Sequence, residues 1–145
     1  MLVGWNLCIE GTDISHEVVG RAQQGMYHRI EINRGLPARH VVRYFDHVGE
    51  DWIIRLEIGQ LSNFRQANLC QPPLPFQDRF DVIFLRNVML YVSHVTRRVL
   101  LSRMHRLLAP DGILFLGSAE QPADPSIWNA VLAGGTCYFR PRAAV

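Results

Sequence analysis

The sequence predicts an α/β fold in which a mostly parallel sheet is covered by helices on both faces. Two apolar runs, DVIFL (81–85) and ILFLG (113–117), have the composition of buried strands, and an amphipathic segment long enough for a crossover helix separates them. The strands are continuous apolar runs rather than alternating ones, which is typical of parallel sheets buried on both faces. With 145 residues, 48% of them hydrophobic, the chain can form about one domain with its own core.

The first elements begin and end at recognisable residues. Leu7 to Glu10 has the pattern of a short strand that ends at Gly11-Thr12-Asp13. Ser15 is suited to cap the following helix, and Gly25 is suited to end it. The first elements therefore form a strand followed by a capped helix.

Further elements follow in the middle of the chain. Pro37 favours the first turn of a second helix, predicted over Pro37 to Phe45. Residues 52–58, WIIRLEI, alternate in hydrophobicity and predict a half-buried strand. Residues 71–78, QPPLPFQD, contain three prolines and predict a loop.

The last third of the chain predicts a βαβ unit and two closing elements. Ser93 caps a long amphipathic helix that extends to Leu108, and Pro110-Asp111-Gly112 turns the chain into the strand ILFLG. A final helix is predicted over Ser126 to Ala133, followed by a terminal strand, TCYFR (136–140).

Composition excludes several classes of function. The 15 basic and 13 acidic residues leave a net charge of +2, so the sequence does not predict a nucleic-acid-binding protein. No apolar stretch reaches the ~18 residues of a membrane span and the start does not resemble a signal peptide, so we expect a cytoplasmic protein with no membrane insertion. The three cysteines and six histidines lack the spacing of a metal site, and we expect the cysteines to be buried free thiols.

Polar residues at predicted strand ends are the candidate binding residues. Ligands of open α/β sheets bind beyond the carboxyl ends of the strands, which is where Asp13, Arg86 and Asn87 lie. An acid after a strand can bind the two hydroxyls of a ribose, but it can equally cap a helix or a turn. From the residues alone, Asn68 can also cap a turn, Arg86 can be a surface ion-pair partner, and Tyr91 can be a core aromatic with its hydroxyl at the rim.

A family resemblance favours the binding interpretation. In order and approximate spacing, the chain resembles the CheR-type chemotaxis receptor methyltransferases through most of its length. FDVIFLRNVMLYV is the most specific of the matching segments, which are EGTDIS (10–15), AQQGMY (22–27), LPARHVVRYF (36–45), NFRQANL (63–69), FDVIFLRNVMLYV (80–92), LLAPDGILFLGSAEQ (107–121) and CYFRPR (137–142).

The resemblance implies a Rossmann-like class I methyltransferase sheet and an enzyme that uses S-adenosylmethionine. It further implies methyl transfer to glutamate carboxylates on the cytoplasmic part of chemotaxis receptors, with S-adenosylhomocysteine as the product. Asp13 resembles the ribose-binding acid, Asn68-Leu69 the pair beside the adenine, and Arg86-Asn87-Val88 the segment that lines the cofactor pocket. Tyr91 resembles the tyrosine near the transferring methyl group, and Tyr91 and Arg86 are the candidate catalytic residues.

The chain also departs from the family pattern. We expect a partial methyltransferase domain over 1–145, truncated at its N-terminal end, with a small β-rich subdomain inserted at about 28–67. The glycine loop that approaches the cofactor and the N-terminal helical domain of the family have no counterpart in the sequence. We therefore expect weak or absent cofactor binding, and homodimerisation or element swapping through exposed strand edges.

Two classes of function follow from the resemblance and the departure. The first is a protein-glutamate O-methyltransferase whose chain, as given, is incomplete for activity. The second is a catalytically incomplete CheR-like fragment that acts as a protein-binding or dimerisation module. A weaker third interpretation is a Rossmann ligand binder that uses Asp13 for another nucleotide.

Overall fold

The computed structural model describes residues 4–122 and 124–142, and the chain forms two compact units. Unit 1 comprises residues 1–68 and unit 2 comprises residues 69–145. Both units combine helices with sheets, which confirms the predicted α/β class. The predicted subdomain at 28–67 stays a prediction.

A parallel strand pair and a capped helix begin unit 1. Strand β1 (Ile9–Asp13) pairs in parallel with β5 (Ser62–Gln66), and helix α1 (His16–Gln24) follows β1. Both predicted helix ends are confirmed. The Ser15 hydroxyl oxygen accepts a hydrogen bond from the Val18 N–H at 3.3 Å, and Gly25 ends the helix in the left-handed region with φ 64°.

The first strand lies further along the chain than predicted. It covers Ile9–Asp13 rather than Leu7 to Glu10, so Asp13 is the last residue of β1 and not part of a turn after it. The reason is Gly11, which pairs with Phe64 within the sheet. A Cβ atom on Gly11 would come within 2.5 Å of the Phe64 ring, so this glycine permits a close contact instead of ending the strand.

The middle of unit 1 is a small antiparallel sheet with its own core. Its strand order is β2–β4–β3, and the helices α2 and α3 lie between β2 and β3 in the chain. The core contains Ile32, Val41 and Phe45. The elements are β2 (Met26–His28), α2 (Arg29–Gly35), α3 (Ala38–Tyr44), β3 (Phe45–Val48) and β4 (Asp51–Ile54).

The helix predicted from Pro37 is confirmed, whereas the strand predicted over 52–58 is only half right. Strand β4 ends at Ile54, and Leu56–Gly59 forms a single helical turn, α4. The N–H groups of Ile58 and Gly59 donate to the Arg55 carbonyl, each at 3.0 Å. These local hydrogen bonds replace the strand pairing that the alternating pattern had favoured.

Unit 2 contains the predicted βαβ unit. Strand β6 (Phe80–Leu85) and strand β7 (Leu108–Leu116) are parallel neighbours, and helix α5 (His94–Leu107) connects them. Ser93 caps α5 as predicted, since its hydroxyl oxygen accepts the Thr96 N–H at 3.2 Å. The helix packs its apolar side against the sheet, and the most completely buried core residues include Leu100, Leu108 and Leu114.

The last predicted helix is wrong. Residues predicted as a helix over Ser126 to Ala133 form strand β8 (Trp128–Ala133), which pairs antiparallel with β9 (Thr136–Pro141). Gly134 and Gly135 connect the strands with φ 58° and 77°, as a two-residue hairpin turn requires. The terminal strand was predicted correctly. The helix prediction failed because the periodicity of a short apolar run does not distinguish a helix from a strand.

The sheet of unit 2 is mixed rather than mostly parallel. Its order is β6–β7–β9–β8, and only the β6–β7 pair is parallel. It is also not covered on both faces in the way predicted, because Phe84 is 71% exposed and stacks on Phe115 at a ring distance of 5.0 Å. The predicted turn at residues 110–112 lies inside β7, where the pairing register with β6 shifts.

Two further observations concern the sequence expectations. The three cysteines are free, as predicted, but Cys8 and Cys137 are exposed and Cys70 is only partly buried. No helix among residues 4–122 and 124–142 combines the length and apolar character needed to cross a membrane.

Candidate functional site

In unit 1, Asp13 lies at the carboxyl end of the parallel pair β1–β5. The strand register places Asp13 beside Gln66, and the Asp13 carbonyl accepts the Ala67 N–H at 2.9 Å. Asn68 therefore follows β5 at the same end of the pair. The Asp13 side chain is exposed, and its Oδ1 accepts the Ser15 N–H at 2.8 Å.

The environment of Asp13 is suited to a hydroxyl-bearing ligand. One carboxylate oxygen is used in the local turn, and Oδ2 has no hydrogen-bond partner within residues 4–122 and 124–142. A carboxylate at a strand end can accept hydrogen bonds from ribose hydroxyls. The structure thus combines the two interpretations of Asp13, since the residue stabilises a turn and still presents a free oxygen.

Leu69 belongs to the core of unit 2. Its side chain is partly buried against the main hydrophobic cluster of this unit, and its carbonyl accepts a hydrogen bond from Arg103 Nη1 at 2.9 Å. These contacts hold the backbone at Leu69 to helix α5. Its predicted place beside an adenine stays a prediction.

The segment after β6 presents most of the remaining candidate residues. Arg86, Asn87 and Val88 are exposed, and a short 3-10 turn over Met89–Tyr91 follows them. Met89 is only 2% exposed and anchors the segment in the core, whereas Tyr91 is 87% exposed. We refer to residues 86–91 as the strand-end loop.

Exposure decides two alternatives that the sequence left open. Tyr91 is not a core aromatic residue, because almost its whole side chain is exposed. Arg86 forms no ion pair within the part of the chain that the structure describes. Both side chains are therefore available to a ligand or a substrate.

A buried carboxylate lies behind the strand-end loop. Glu120 follows β7 and is 8% exposed. Its Oε2 accepts the N–H groups of Asn87 and Gly117, and its Oε1 accepts the Met89 N–H, each at 2.8 Å. The carboxylate thus joins the loop after β6 to the turn after β7.

The backbone at this junction is tightly constrained. Asn87 has φ 60°, in the left-handed region that asparagine tolerates better than most residues. A Cβ atom on Gly117 would press against Asn87 Oδ1 and lie 2.7 Å from Glu120 Oε2 and 3.0 Å from Asn87 N. Only glycine therefore fits at position 117 in this arrangement.

Sequence reasoning did not single out Glu120. The residue belongs to the segment GSAEQ (117–121), which directly follows an apolar strand. An acid four residues after the end of an apolar strand, in a segment that begins with glycine, is the signal that could have drawn attention to it. Two of its three partners, Met89 and Asn87, are 31 and 33 residues earlier in the chain, so no local pattern could have identified them.

Comparison with known proteins identifies the family. Residues 2–133 match the family described as CheR methyltransferase, SAM binding domain. The chain is 36% identical over 113 residues to chemotaxis protein methyltransferase 1 of Pseudomonas aeruginosa, covering 77% of this chain and 41% of that protein. It is 35% identical over 113 residues to chemotaxis protein methyltransferase Cher2 of Pseudomonas putida, with the same coverage.

A third relative is named for a different role. The chain is 34% identical over 113 residues to a probable biofilm formation methyltransferase, WspC, of Pseudomonas putida, covering 77% of this chain and 26% of that protein. The chain thus spans about two fifths of the length of the first two relatives. Because the match to the S-adenosylmethionine-binding domain of this family covers nearly the whole chain, the protein belongs to the CheR methyltransferase family.

Proposed function

We propose that this chain is part of a protein-glutamate O-methyltransferase that acts on the cytoplasmic part of chemotaxis receptors. The observation that carries the proposal is the strand-end loop, which presents Arg86, Asn87, Val88 and Tyr91 at the carboxyl end of β6 while Met89 and Glu120 hold it to the core. The family match supports S-adenosylmethionine as the cofactor.

The described residues fit a nucleoside cofactor. In unit 1 the exposed Asp13 carboxylate has a free Oδ2, as binding of ribose hydroxyls requires. Asn68 and Leu69 are the residues that we assign to the adenine. In unit 2 the side chains of Arg86, Asn87 and Val88 are exposed and line the loop that we assign to the cofactor pocket.

The proposed chemistry needs few reactive groups. When bound, S-adenosylmethionine supplies a methyl group on a positively charged sulfur. A substrate glutamate is already ionised at neutral pH, since its reference pKa is about 4.3, so no general base is required. The protein must orient the carboxylate and remove its water, and these are effects of position and desolvation.

Arg86 and Tyr91 are suited to that orientation. The Arg86 guanidinium is exposed and has no ion-pair partner among the described residues, so it can bind a substrate carboxylate. The Tyr91 hydroxyl can donate a hydrogen bond to the same carboxylate. We assign these two side chains to substrate positioning at the reaction centre.

Cofactor binding is the first test. Calorimetric titration of the chain with S-adenosylhomocysteine, at high protein concentration because weak binding is expected, tests the site: any heat of binding should be lost in Asp13→Ala. Asp78→Ala is the matched control, because Asp78 is also exposed and its side chain forms no hydrogen bond or ion pair with the residues that the structure describes. Equal affinity in Asp13→Ala and Asp78→Ala would contradict the role of Asp13.

Methyl transfer is the second test. The methyltransferase of which this chain is proposed to be a part is incubated with methyl-labelled S-adenosylmethionine and the cytoplasmic fragment of a chemotaxis receptor. Transfer to a carboxylate gives an ester that releases labelled methanol in alkali, whereas a methylated amine or amide does not. Tyr91→Phe should lower the rate, and alkali-stable label would contradict the glutamate assignment.

Strand edges support a second candidate function, a protein-binding or dimerisation module. Within unit 2, β6 is an edge strand, and in unit 1 β1 is paired with β5 in a two-stranded sheet. Edge strands carry unpaired backbone groups that can pair with another chain. Dimerisation of the chain, together with an absence of S-adenosylhomocysteine binding, would favour this function over catalysis.

A further inference from the structure

We propose that Glu120 is a positioning residue for the cofactor site. Its carboxylate fixes the backbone of the strand-end loop and thereby sets which groups of that loop face the ligand. The inference rests on the proposed function, because the loop is assigned there to the cofactor pocket. The loop-fixing part can nevertheless be tested without any ligand.

The hydrogen bonds of Glu120 explain how the loop is oriented. Two N–H groups of the loop, those of Asn87 and Met89, are directed at a carboxylate that is itself buried. These two groups are therefore not available to a ligand. What the loop presents instead is its side chains, since Arg86, Asn87 and Val88 are all exposed.

The carboxylate is chemically specific for this task. Three N–H donors converge on two oxygen atoms, so the site needs a group that accepts at both ends. A carboxylate meets that need, and its charge strengthens each hydrogen bond. The third donor, the Gly117 N–H, fixes the Glu120 side chain to its own turn and makes the carboxylate a rigid support.

The conformation of Asn87 depends on the same contact. A left-handed residue is disfavoured unless its surroundings hold it, and the Asn87 N–H is held by Glu120 Oε2 at 2.8 Å. Weakening this contact allows residue 87 to return to the common backbone region. The neighbouring side chains, Arg86 and Val88, would then change direction.

Glu120→Gln is the most direct variant, because it preserves size and shape. A glutamine has one acceptor oxygen and one N–H₂ group, so at least one of the three backbone donors must face another donor. If the amide oxygen takes the Oε2 position, the Met89 N–H loses its acceptor. If the side chain is flipped, the Asn87 and Gly117 N–H groups lose theirs.

Amide hydrogen exchange provides the readout that is independent of ligand. In Glu120→Gln, the exchange rate of Met89, or of Asn87 and Gly117 together, should rise at least about tenfold, because a buried N–H has lost its partner. Exchange of the Leu114 amide in the core of the sheet should change little. A uniform rise at all of these amides would indicate a general loss of stability and overturn the positioning role.

Cofactor affinity provides the second readout. The dissociation constant for S-adenosylhomocysteine should rise by about tenfold in Glu120→Gln. Glu57→Gln is the matched control, since it makes the same chemical change at an exposed residue of α4, and its affinity should equal that of the unsubstituted chain. Altered exchange with unchanged affinity would overturn the link between the loop and the cofactor.

The outcomes separate this proposal from the proposed function. If the unsubstituted chain binds no S-adenosylhomocysteine, the cofactor assignment fails for both, and amide exchange alone supports or overturns the fixing of the loop. If Glu120→Gln does not fold, Glu120→Asp retains the charge but shortens the reach by one methylene. Unfolding of both variants would overturn the proposal, because Glu120 would then be needed for stability itself.

Discussion

Gly117→Ala tests the tight junction behind the strand-end loop. The substitution adds one methyl group at a position where a Cβ atom would lie 2.7 Å from Glu120 Oε2 and 3.0 Å from Asn87 N. The backbone of Gly117 is not in the left-handed region, so the substitution introduces a steric conflict and no conformational strain. Any loss of stability therefore reports the close contact itself.

The magnitude follows from which atoms would have to move. Asn87 N is a backbone atom, and Glu120 Oε2 already holds two N–H groups, so neither can retreat without losing hydrogen bonds. Overpacking of this kind costs about 1–3 kcal/mol. For a unit of this size, a loss of about 2 kcal/mol corresponds to a fall in the melting temperature of roughly 8–16 °C.

Urea unfolding followed by NMR measures this loss separately for each unit. The indole N–H signal of Trp128, which is buried in unit 2, should disappear at a lower urea concentration in Gly117→Ala. The indole signal of Trp52 reports unit 1 in the same sample. Resolving the two signals avoids the assumption that the whole chain unfolds in one step.

Gly20→Ala is the matched control for the same chemical change. A Cβ atom on Gly20 meets no atom within 4 Å, and Gly20 lies inside helix α1. Alanine is the better helix former, so this variant should be more stable by about 0.5–1 kcal/mol. If Gly117→Ala unfolded within about 0.3 kcal/mol of the unsubstituted chain, the close contact would not constrain the loop.

Three further predictions concern the loop, an ion pair and the strand edges. Asn87→Gly removes the side chain but suits φ 60°, so this variant should retain its stability or gain up to about 1 kcal/mol. Asn87→Ala should lose stability, because alanine tolerates this backbone conformation poorly. If the glycine variant unfolded at a lower urea concentration than the alanine variant, this prediction would be contradicted. Arg21 and the His28 N–H both donate to the Glu31 carboxylate and lower its pKa, so Arg21→Ala should raise that pKa in a carbon-13 NMR titration. Because the pKa of Glu31 is lower in the folded state than in the unfolded state, ionised Glu31 stabilises the fold above about pH 4.3, and this contribution is lost as the pH falls further. Equal Glu31 pKa values in the Arg21→Ala variant and the unsubstituted chain would refute the role of Arg21. Because edge strands can pair with another chain, we expect dimers or swapped oligomers in sedimentation experiments. A monomer at high protein concentration would count against association through these edges.

Several elements could be predicted from the sequence because their causes are local. Ser15 and Ser93 cap helices through hydrogen bonds that reach only three residues along the chain. Gly25 ends α1 because glycine adopts the left-handed conformation without cost. The apolar runs of β6 and β7, with an amphipathic helix between them, predicted the βαβ unit correctly.

Other elements could not be predicted because their causes lie elsewhere in the fold. The segment Trp128–Ala133 is a strand because it pairs with β9, although its apolar run is also compatible with a helix. Gly11 resembled the end of a strand but lies inside one, where it makes room for the Phe64 ring. In both cases a partner distant in the chain decided between two local possibilities.

The same division holds for the candidate site. The sequence by itself determined the α/β class, the family and the candidate residues from Asp13 to Tyr91, because motifs and strand ends are local properties. Only the tertiary structure decided that Tyr91 is exposed, that Met89 is anchored and that Glu120 supports the loop between them. A buried carboxylate acquires its role from the N–H groups that folding brings to it, and those groups come from a strand end some thirty residues away.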